Sequence, residues 1–186
     1  PTFLELAEAE VPSEMTGVSF ADAMFGKQSN AKRDHVFLER ERHANVREGN
    51  LSYPMRSIRT KYFLYIWNLR PDRWPAGDPD AWYSVGNFGD VDNSWAKEHI
   101  VDHRDDPKMQ PYFELSFSKR PEEELYDLRK DPNQIVNVAN DPAYESSLKQ
   151  LRTRVEKWMA DTHDPRVDPS YDEWDRYPYH TRSTGF

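Results

Sequence analysis

The sequence predicts an α+β fold in which a small antiparallel sheet of about four strands packs against one long amphipathic helix near the C-terminus. β-branched and aromatic residues dominate residues 55–69 and return at residues 125–128, which is typical of strands. Between residues 141 and 162, apolar side chains recur at steps of three and four, which predicts a helix with one apolar face. Aromatic residues make up 13% of the chain, so rings supply much of the predicted core although the apolar fraction is only 37%.

The first predicted elements are short. Residues 1–10 and 19–25 each predict a brief helix, because good helix formers follow an initial proline and Gly26 can end the second helix. Residues 36–38, with the sequence Val-Phe-Leu, predict a short buried strand.

The strongest strand pattern belongs to a hairpin. Residues 55–69 divide into two strands, with a tight turn predicted at Lys61-Tyr62. The connection that follows, residues 70–111, is rich in Pro, Gly, Asp and Trp and predicts one helix, over residues 94–101. A connection of that length in a compact domain is usually functional.

The long helix is predicted to open at Asp141-Pro142, because an acidic N-cap residue followed by proline is a typical helix start. A second such pair, Asp164-Pro165, ends it. The predicted apolar face contains Tyr144, Leu148, Leu151, Val155, Trp158 and Met159.

Composition excludes several classes of function. Lys and Arg number 25 against 33 Asp and Glu, so the net charge of −8 argues against a protein that coats nucleic acid. There is no cysteine, which excludes disulfides, thiolate metal sites and a cysteine nucleophile. No window approaches 18 apolar residues, so no membrane span is predicted. The sequence contains no complete catalytic motif, and we predict neither catalytic nor metal-binding residues in this chain.

The mixed-charge run at residues 39–43, Glu-Arg-Glu-Arg-His, follows a predicted strand and therefore emerges where a strand end can deliver side chains to a cleft. Guanidinium groups and an imidazole can hold an oxyanion such as sulfate, phosphate or carboxylate. An exposed run of mixed charge with no ligand explains the same residues equally well.

A pair of histidines, His99 and His103, has the spacing that places two imidazoles on one helix face. Acidic residues follow, but the glutamate of a zinc protease motif is absent, and we favour a solvated polar segment.

Aromatic residues crowd the long connection and its borders. Flat rings beside Asp and Arg are suited to stacking on sugars, but a loop of this length also needs a small core of its own. The two interpretations have comparable support, and the rings concerned are Trp67, Trp74, Trp82, Tyr83, Phe88 and Trp95.

Four segments resemble the type I, formylglycine-dependent sulfatase family. Residues 124–139, which contain Glu-Leu-Tyr-Asp-Leu, Asp-Pro and Asn-Val-Ala, resemble the segment near the sulfatase C-terminus that precedes a long amphipathic helix. Residues 1–20 resemble the linker out of the catalytic domain. Residues 53–60 and 158–165 are similar to the heparan N-sulfatase (sulfamidase) branch. The resemblance covers residues 1 to about 165.

The resemblance implies that the chain is the C-terminal part of an enzyme that hydrolyses sulfate esters or sulfamates of sugars, with an N-sulfoglucosamine or heparan-type substrate favoured. In this family a formylglycine attacks sulfur and Ca²⁺ neutralises the sulfate. Both groups are expected in the missing N-terminal part, and none is expected to be bound by this chain. Family members are periplasmic, secreted or lysosomal, and we expect one of these locations.

The resemblance also implies a division of the chain. We expect residues 1–34 to be the end of the alkaline-phosphatase-like catalytic domain with its linker, residues 35–165 to be the C-terminal sulfatase subdomain, and residues 166–186 to be an irregular tail. By analogy with the family's loop after the first strand, His43 is the first candidate for substrate binding, with Glu41 and Arg42 as further candidates.

The expected partners are the N-terminal catalytic part of the same protein and a sulfated sugar, with neither nucleic acid nor membrane. Aromatic residues in the tail suggest a strap packed on a neighbour, through which a homo-oligomer would form: Tyr171, Trp174, Tyr177 and Tyr179. The alternative function is a non-catalytic carbohydrate-binding or structural module that uses the Trp-rich loop.

Overall fold

The structure is a computed structural model that describes residues 1–27, 33–80 and 86–178. Its contacts divide the chain into two units, residues 1–34 and residues 35–186. Among the described residues, no helix is both long and apolar enough to cross a bilayer.

The first unit contains two short helices, α1 (Thr2–Leu6) and α2 (Ala21–Met24). The backbone N–H of Phe20 donates a hydrogen bond to Thr2 Oγ1 over 3.2 Å, which ties the start of α2 to α1. Helix α1 is shorter than the ten residues predicted, because Glu8 has a φ of 54°, outside the right-handed helical region.

The second unit is built on a four-stranded antiparallel sheet in the order β1-β2-β3-β4. Its strands are β1 (His35–Arg40), β2 (Met55–Thr60), β3 (Phe63–Asn68) and β4 (Glu123–Asp127). The predicted two-residue turn joins β2 to β3, and Thr60 Oγ1 accepts hydrogen bonds from the backbone N–H groups of Tyr62 and Phe63. The α+β architecture predicted from the sequence is therefore confirmed.

One long helix, α5 (Glu145–Asp161), covers one face of the sheet. Leu151, Val155 and Met159 are buried in a core cluster with Ile58 of β2 and Leu125 of β4. The predicted helix start at Asp141 is a 3-10 turn, Pro142–Tyr144, in which the Asp141 carboxylate accepts a hydrogen bond from the Ala143 N–H (2.9 Å).

Strand β1 is exposed, which corrects the prediction that Val36-Phe37-Leu38 forms a buried strand. Val36 is 50% and Leu38 45% exposed, because β1 is the edge strand and these two side chains point away from the helix-covered face. Phe37 points to the other face and stacks on Trp158 of α5, with ring centroids 4.8 Å apart.

The connection between β3 and β4 carries a second small core. It contains α3 (Trp95–Asp102), predicted almost to the residue, and α4 (Gln110–Ser116), which we did not predict. Apolar side chains from both helices and from the loop before them form one cluster: Trp74, Ala76, Phe88, Val91, Ile100, Val101, Phe113 and Phe117.

The tail folds back on its own unit. A 3-10 turn, Pro165–Val167, and the short helix α6 (Glu173–Arg176) follow α5. The Asp175 carboxylate accepts a hydrogen bond from the Ser52 N–H (2.7 Å), and the Arg42 side chain donates to the Tyr177 carbonyl (2.8 Å). The described part of the strap therefore packs on its own chain; Tyr179 lies outside the described residues, and the homo-oligomer stays a prediction.

Candidate functional site

The candidate site is formed by the loop after β1 together with Asp90. β1 ends at Arg40, which pairs with Met55 at the start of β2. The Tyr53 N–H donates a hydrogen bond to the Glu41 carbonyl over 3.1 Å, which joins the two ends of the loop. Residues 40–43 therefore lie at one end of the edge strand β1.

Arg47 anchors this loop to the connection between β3 and β4. Its side chain is buried and donates from Nε to the Trp74 carbonyl and from Nη2 to the Pro75 carbonyl, each over 2.7 Å. Burial lowers the pKa of Arg47, and the nearby carboxylate of Asp90 opposes this shift. The loop is therefore held in place by a buried cation rather than by regular secondary structure.

Asp90 brings three basic side chains together. Its carboxylate is 4% exposed and accepts from Arg40 Nη2 over 2.6 Å, from Arg47 Nη2 over 3.0 Å and from His43 Nδ1 over 3.0 Å. Two permanent cations on one anion leave this cluster with a net positive charge before any proton is added to His43.

His43 is the exposed member of the Asp90 cluster. Its side chain is 71% exposed. Because a carboxylate can only accept, we assign the neutral-ring proton to Nδ1, which leaves Nε2 to accept a hydrogen bond from a ligand, or to donate one when the ring is protonated. Arg40, one-third exposed, has N–H donors beyond the one that Asp90 receives.

Glu41, the second predicted site residue, is engaged by two arginines. Arg56 Nη2 lies 2.8 Å and Arg166 Nη2 2.7 Å from its carboxylate oxygens. Arg56 also binds Asp164, with Nε 2.5 Å from Oδ2, and donates to the Arg40 carbonyl over 3.3 Å. Arg56 thus ties β2 to the loop, and Glu41 holds the loop to the two arginines.

Arg42, the third predicted site residue, connects the loop to the tail. It donates from Nη1 to the Asn50 carbonyl over 3.0 Å and from Nη2 to the Tyr177 carbonyl over 2.8 Å. All three candidates therefore have partners within the chain, and the imidazole of His43 is the most exposed of the three side chains.

Two residues of the candidate site, Arg40 and Asp90, were not among the three site residues predicted by analogy with the family. Arg40 lies inside the mixed-charge run that was singled out, so the signal for it was present. Asp90 is 47 residues from His43 and sits in a loop with several other aspartates, so nothing in the sequence distinguishes it.

The described aromatic residues of the long connection and its borders are either packed in a core or exposed to solvent. Trp74 and Phe88 pack edge to face, with centroids 5.9 Å apart, inside the second cluster, and Trp67 packs against the main core. Trp95 is 91% exposed. Trp82 and Tyr83 lie outside the described residues. Of the four described rings, two therefore belong to the local core, one packs on the main core and one is exposed.

The histidine pair lies on and just after α3. The rings of His99 and His103 have centroids 4.3 Å apart, and His103 Nδ1 lies 2.9 Å from the His99 carbonyl oxygen. Within residues 1–27, 33–80 and 86–178, no group of three or more His, Asp or Glu side chains could hold a metal ion.

Comparison with curated proteins gives three similar sequences, although no protein-family model matches the chain. N-sulphoglucosamine sulphohydrolase from Homo sapiens is 32% identical over 120 residues, which cover 64% of this chain and 22% of that protein. Two ulvan-active sulfatases from Formosa agariphila are 25% and 29% identical, each over 86% of this chain, and over 24% and 27% of their own lengths. The chain thus spans about a quarter of the length of these relatives.

Solved structures with a similar fold include a 2-O GAG sulfatase, with a TM-score of 0.56 and 20% identity over 90% of this chain and 25% of that one. Another, solved in complex with its substrate D-glucosamine-2-N,6-O-disulfate, gives a TM-score of 0.52 and 20% identity over 91% of this chain and 24% of that one. The four-stranded sheet and its helices thus form an α+β fold like that of sulfatase C-terminal subdomains.

Proposed function

We propose that the chain is part of a longer sulfatase and forms one wall of a pocket in which that protein hydrolyses sulfate esters or sulfamates of sugars, since its curated relatives are sulfatases of which it covers about a quarter. The observation that carries the proposal is the Asp90 cluster, where Arg40 and His43 share one buried carboxylate at the exposed end of β1. An N-sulfated glucosamine is the favoured substrate, because the human relative is named for N-sulphoglucosamine and a structural neighbour was solved with a glucosamine disulfate.

In this proposal Arg40 and His43 bind the sugar and take no part in bond breaking. Arg40 donates charge-assisted hydrogen bonds to a sulfate or hydroxyl oxygen. His43 Nε2 accepts a hydrogen bond from a neighbouring hydroxyl or, in the charged ring, donates one to it. Asp90 fixes the direction of both side chains, while Arg47 and Asp90 neutralise each other in the interior. Glu41 and Arg42 act as positioning residues that hold the loop to α5 and the tail.

The chemical step belongs, in this proposal, to the remainder of the protein. Sulfatases of this family use formylglycine and Ca²⁺, and the described residues of this chain offer no carboxylate cluster for the metal. The domain division at residues 34 and 165 and the expected location outside the cytoplasm are likewise proposals that follow from the family.

The test is sulfate release from N-sulfoglucosamine by the full-length protein. We expect Arg40→Ala and His43→Ala each to raise KM about tenfold or more with kcat changed much less, because each removes a binding contact and no reacting group. Matched controls are Arg176→Ala, a surface arginine in α6, and His163→Asn, where asparagine tolerates the φ of 55°.

The positioning role of Asp90 is tested by the KM of a third variant. Asp90→Asn keeps the shape but loses the charge that holds Arg40 and His43, so we expect it to raise KM like the two substrate-binding variants. Unchanged KM in Arg40→Ala and His43→Ala, or equal losses in the two controls, would overturn the proposal.

A further inference from the structure

A second candidate ligand surface lies on α3. The indole of Trp95 is 91% exposed and borders an open groove of about 570 Å³. The other residues that line this groove are polar apart from one alanine: Ala96, Glu98, His99, Asp102 and His103.

Among residues 1–27, 33–80 and 86–178, no core packing explains an indole at position 95. The opposite face of α3 does the packing, with Val101 buried and Ile100 half-buried in the second cluster. Lys97 fixes the start of the helix by donating from Nζ to the carbonyls of Phe88 (3.1 Å) and Val91 (2.7 Å). An exposed large ring on a helix that is already fixed is available to a ligand.

We propose that Trp95 and the groove along α3 bind a neutral pyranose ring of a carbohydrate chain. The indole face stacks on the apolar C–H face of the sugar, as aromatic rings do with flat ligands. The Glu98 and Asp102 carboxylates accept hydrogen bonds from sugar hydroxyls, and His99 adds a further donor or acceptor. The two carboxylates repel sulfate groups, which restricts the site to an unsulfated sugar unit.

The composition of the groove favours a sugar over a protein partner. Protein interfaces have a contiguous apolar centre, whereas here a single ring is surrounded by polar groups. A sugar needs this combination, since it presents one apolar face and a rim of hydroxyls.

The groove and the Asp90 cluster lie close in the chain. Four residues separate Asp90 from Trp95, so their Cα atoms are at most about 18 Å apart. One polysaccharide chain can therefore contact both surfaces, with a sulfated unit at Arg40 and an unsulfated unit at Trp95. The sugar site at Trp95 does not depend on the proposed function, and it stands if Arg40 and His43 bind nothing.

The test is an NMR titration of the 186-residue chain with a neutral probe, the hexamer of N-acetylglucosamine. We expect a saturable shift of the Trp95 indole N–H signal. Binding followed on the probe should weaken at least about tenfold in Trp95→Ala and be largely retained in Trp95→Tyr, which keeps a stacking ring. Trp174→Ala removes a less exposed tryptophan and serves as the control, with no expected change.

A sulfated heparin hexasaccharide tests the charge argument. We expect it to perturb the Trp95 signal less than the neutral hexamer does, and the double variant Glu98→Gln/Asp102→Asn to reverse that preference. The proposal is overturned if Trp95→Ala binds the neutral hexamer as tightly as the original chain, or if the sulfated probe is preferred at Trp95. It is also overturned if Trp95→Ala weakens the association with the rest of the protein and leaves binding of the hexamer unchanged. Sulfate release by the His43 variants is measured separately, so either proposal can fail alone.

Discussion

At the scale of single residues, the loop after β1 is held by buried charges that are paired across long sequence distances. Arg56 and Arg166 are each 2% exposed, and between them they bind Asp164, Glu41 and Asp172. Hydrogen bonds from both arginines offset the burial of these carboxylates and keep the pKa of Asp164 below its ordinary value. Removing Arg56 would leave the buried Asp164 carboxylate without its cation, and breaking a buried pair in this way typically costs about 3–5 kcal/mol.

Asp127, at the end of β4, allows a prediction about acid stability. Arg129 donates from Nε over 2.7 Å and from Nη2 over 2.8 Å to its two carboxylate oxygens, and these bonds lower the pKa of Asp127 to about 2 from 3.8. A carboxylate with a lowered folded-state pKa stabilises the fold above pH 3.8 and loses this contribution as the pH falls towards 2. We expect Asp127→Asn to be less stable than the original chain at pH 6 and the difference to shrink below pH 4, in urea unfolding followed by circular dichroism.

Asp161→Asn is the matched control for this measurement. Asp161 forms a surface pair with Lys157, and its side chain is 58% exposed, so its loss should change stability by less than about 1 kcal/mol at any pH. A stability difference for Asp127→Asn that stays constant from pH 6 to pH 2.5 would contradict the assignment.

At the scale of secondary structure, the elements with a local signal were predictable. The hairpin follows from alternating side chains and a two-residue turn, and α5 from apolar residues at helical spacing. Asn137 joins two nearby parts of the chain, since its side-chain oxygen accepts hydrogen bonds from the N–H groups of Leu125 and Ala139. In each case the information lies within a few residues of the chain.

The elements that depend on tertiary contacts were not predictable. Val36 and Leu38 look buried in the sequence, but only the sheet order places β1 at the edge. Helix α4 lacks a polar N-cap and a clear apolar period, and it exists because Phe113 and Phe117 pack on Phe88.

The candidate site follows the same rule. The adjacent residues Glu41, Arg42 and His43 have similar polarity in the sequence, and their partners decide which of them faces solvent. Those partners, among them Arg166 and Asp90, lie tens of residues away. A local pattern can therefore mark the loop as a site, but only the folded chain can say which side chain is presented.

The contact between the site loop and the β3–β4 connection gives a prediction at this scale. Gly77 has a φ of 95°, and a Cβ there would lie 2.8 Å from the Gly89 N and 3.0 Å from the Val46 Cβ. We expect Gly77→Ala to destabilise the chain by roughly 3 kcal/mol or more, because backbone strain adds to the displacement of Val46. Thermal unfolding measures the change.

Gly86 separates the two contributions to that loss. Its φ of 89° is similar, but a Cβ there would meet no atom of the described chain within 4 Å. Gly86→Ala should therefore cost only the strain, about 1–2 kcal/mol. Equal losses at both glycines would mean that close packing at Val46 contributes nothing.

At the scale of the whole molecule, the first unit exposes an unusual amount of apolar surface. Phe3 is 87% exposed, and among the unit's described residues four further large apolar side chains are more than half exposed: Val18, Phe20, Met24 and Phe25. Single exposed apolar residues are normal, but a group of five in a 34-residue unit is typical of a surface that another part of a protein covers. The chain spans about a quarter of the length of its relatives, so the remainder of a longer protein is the expected cover.

This surface predicts a difference between the isolated chain and the full-length protein. Nile red, an uncharged dye that does not compete for a sulfate site, should bind the isolated 186-residue chain, and Phe3→Ser/Phe25→Ser should reduce its fluorescence. Val36→Thr, which replaces an exposed apolar residue on β1, should reduce it less, because Val36 lies outside the first unit. The full-length protein without substitutions should bind little dye, since these side chains would be buried there. For the same reason, the double substitution should lower the thermal stability of the full-length protein. Equal dye binding by both proteins would contradict this prediction, because it would show that these five side chains stay exposed in the longer protein.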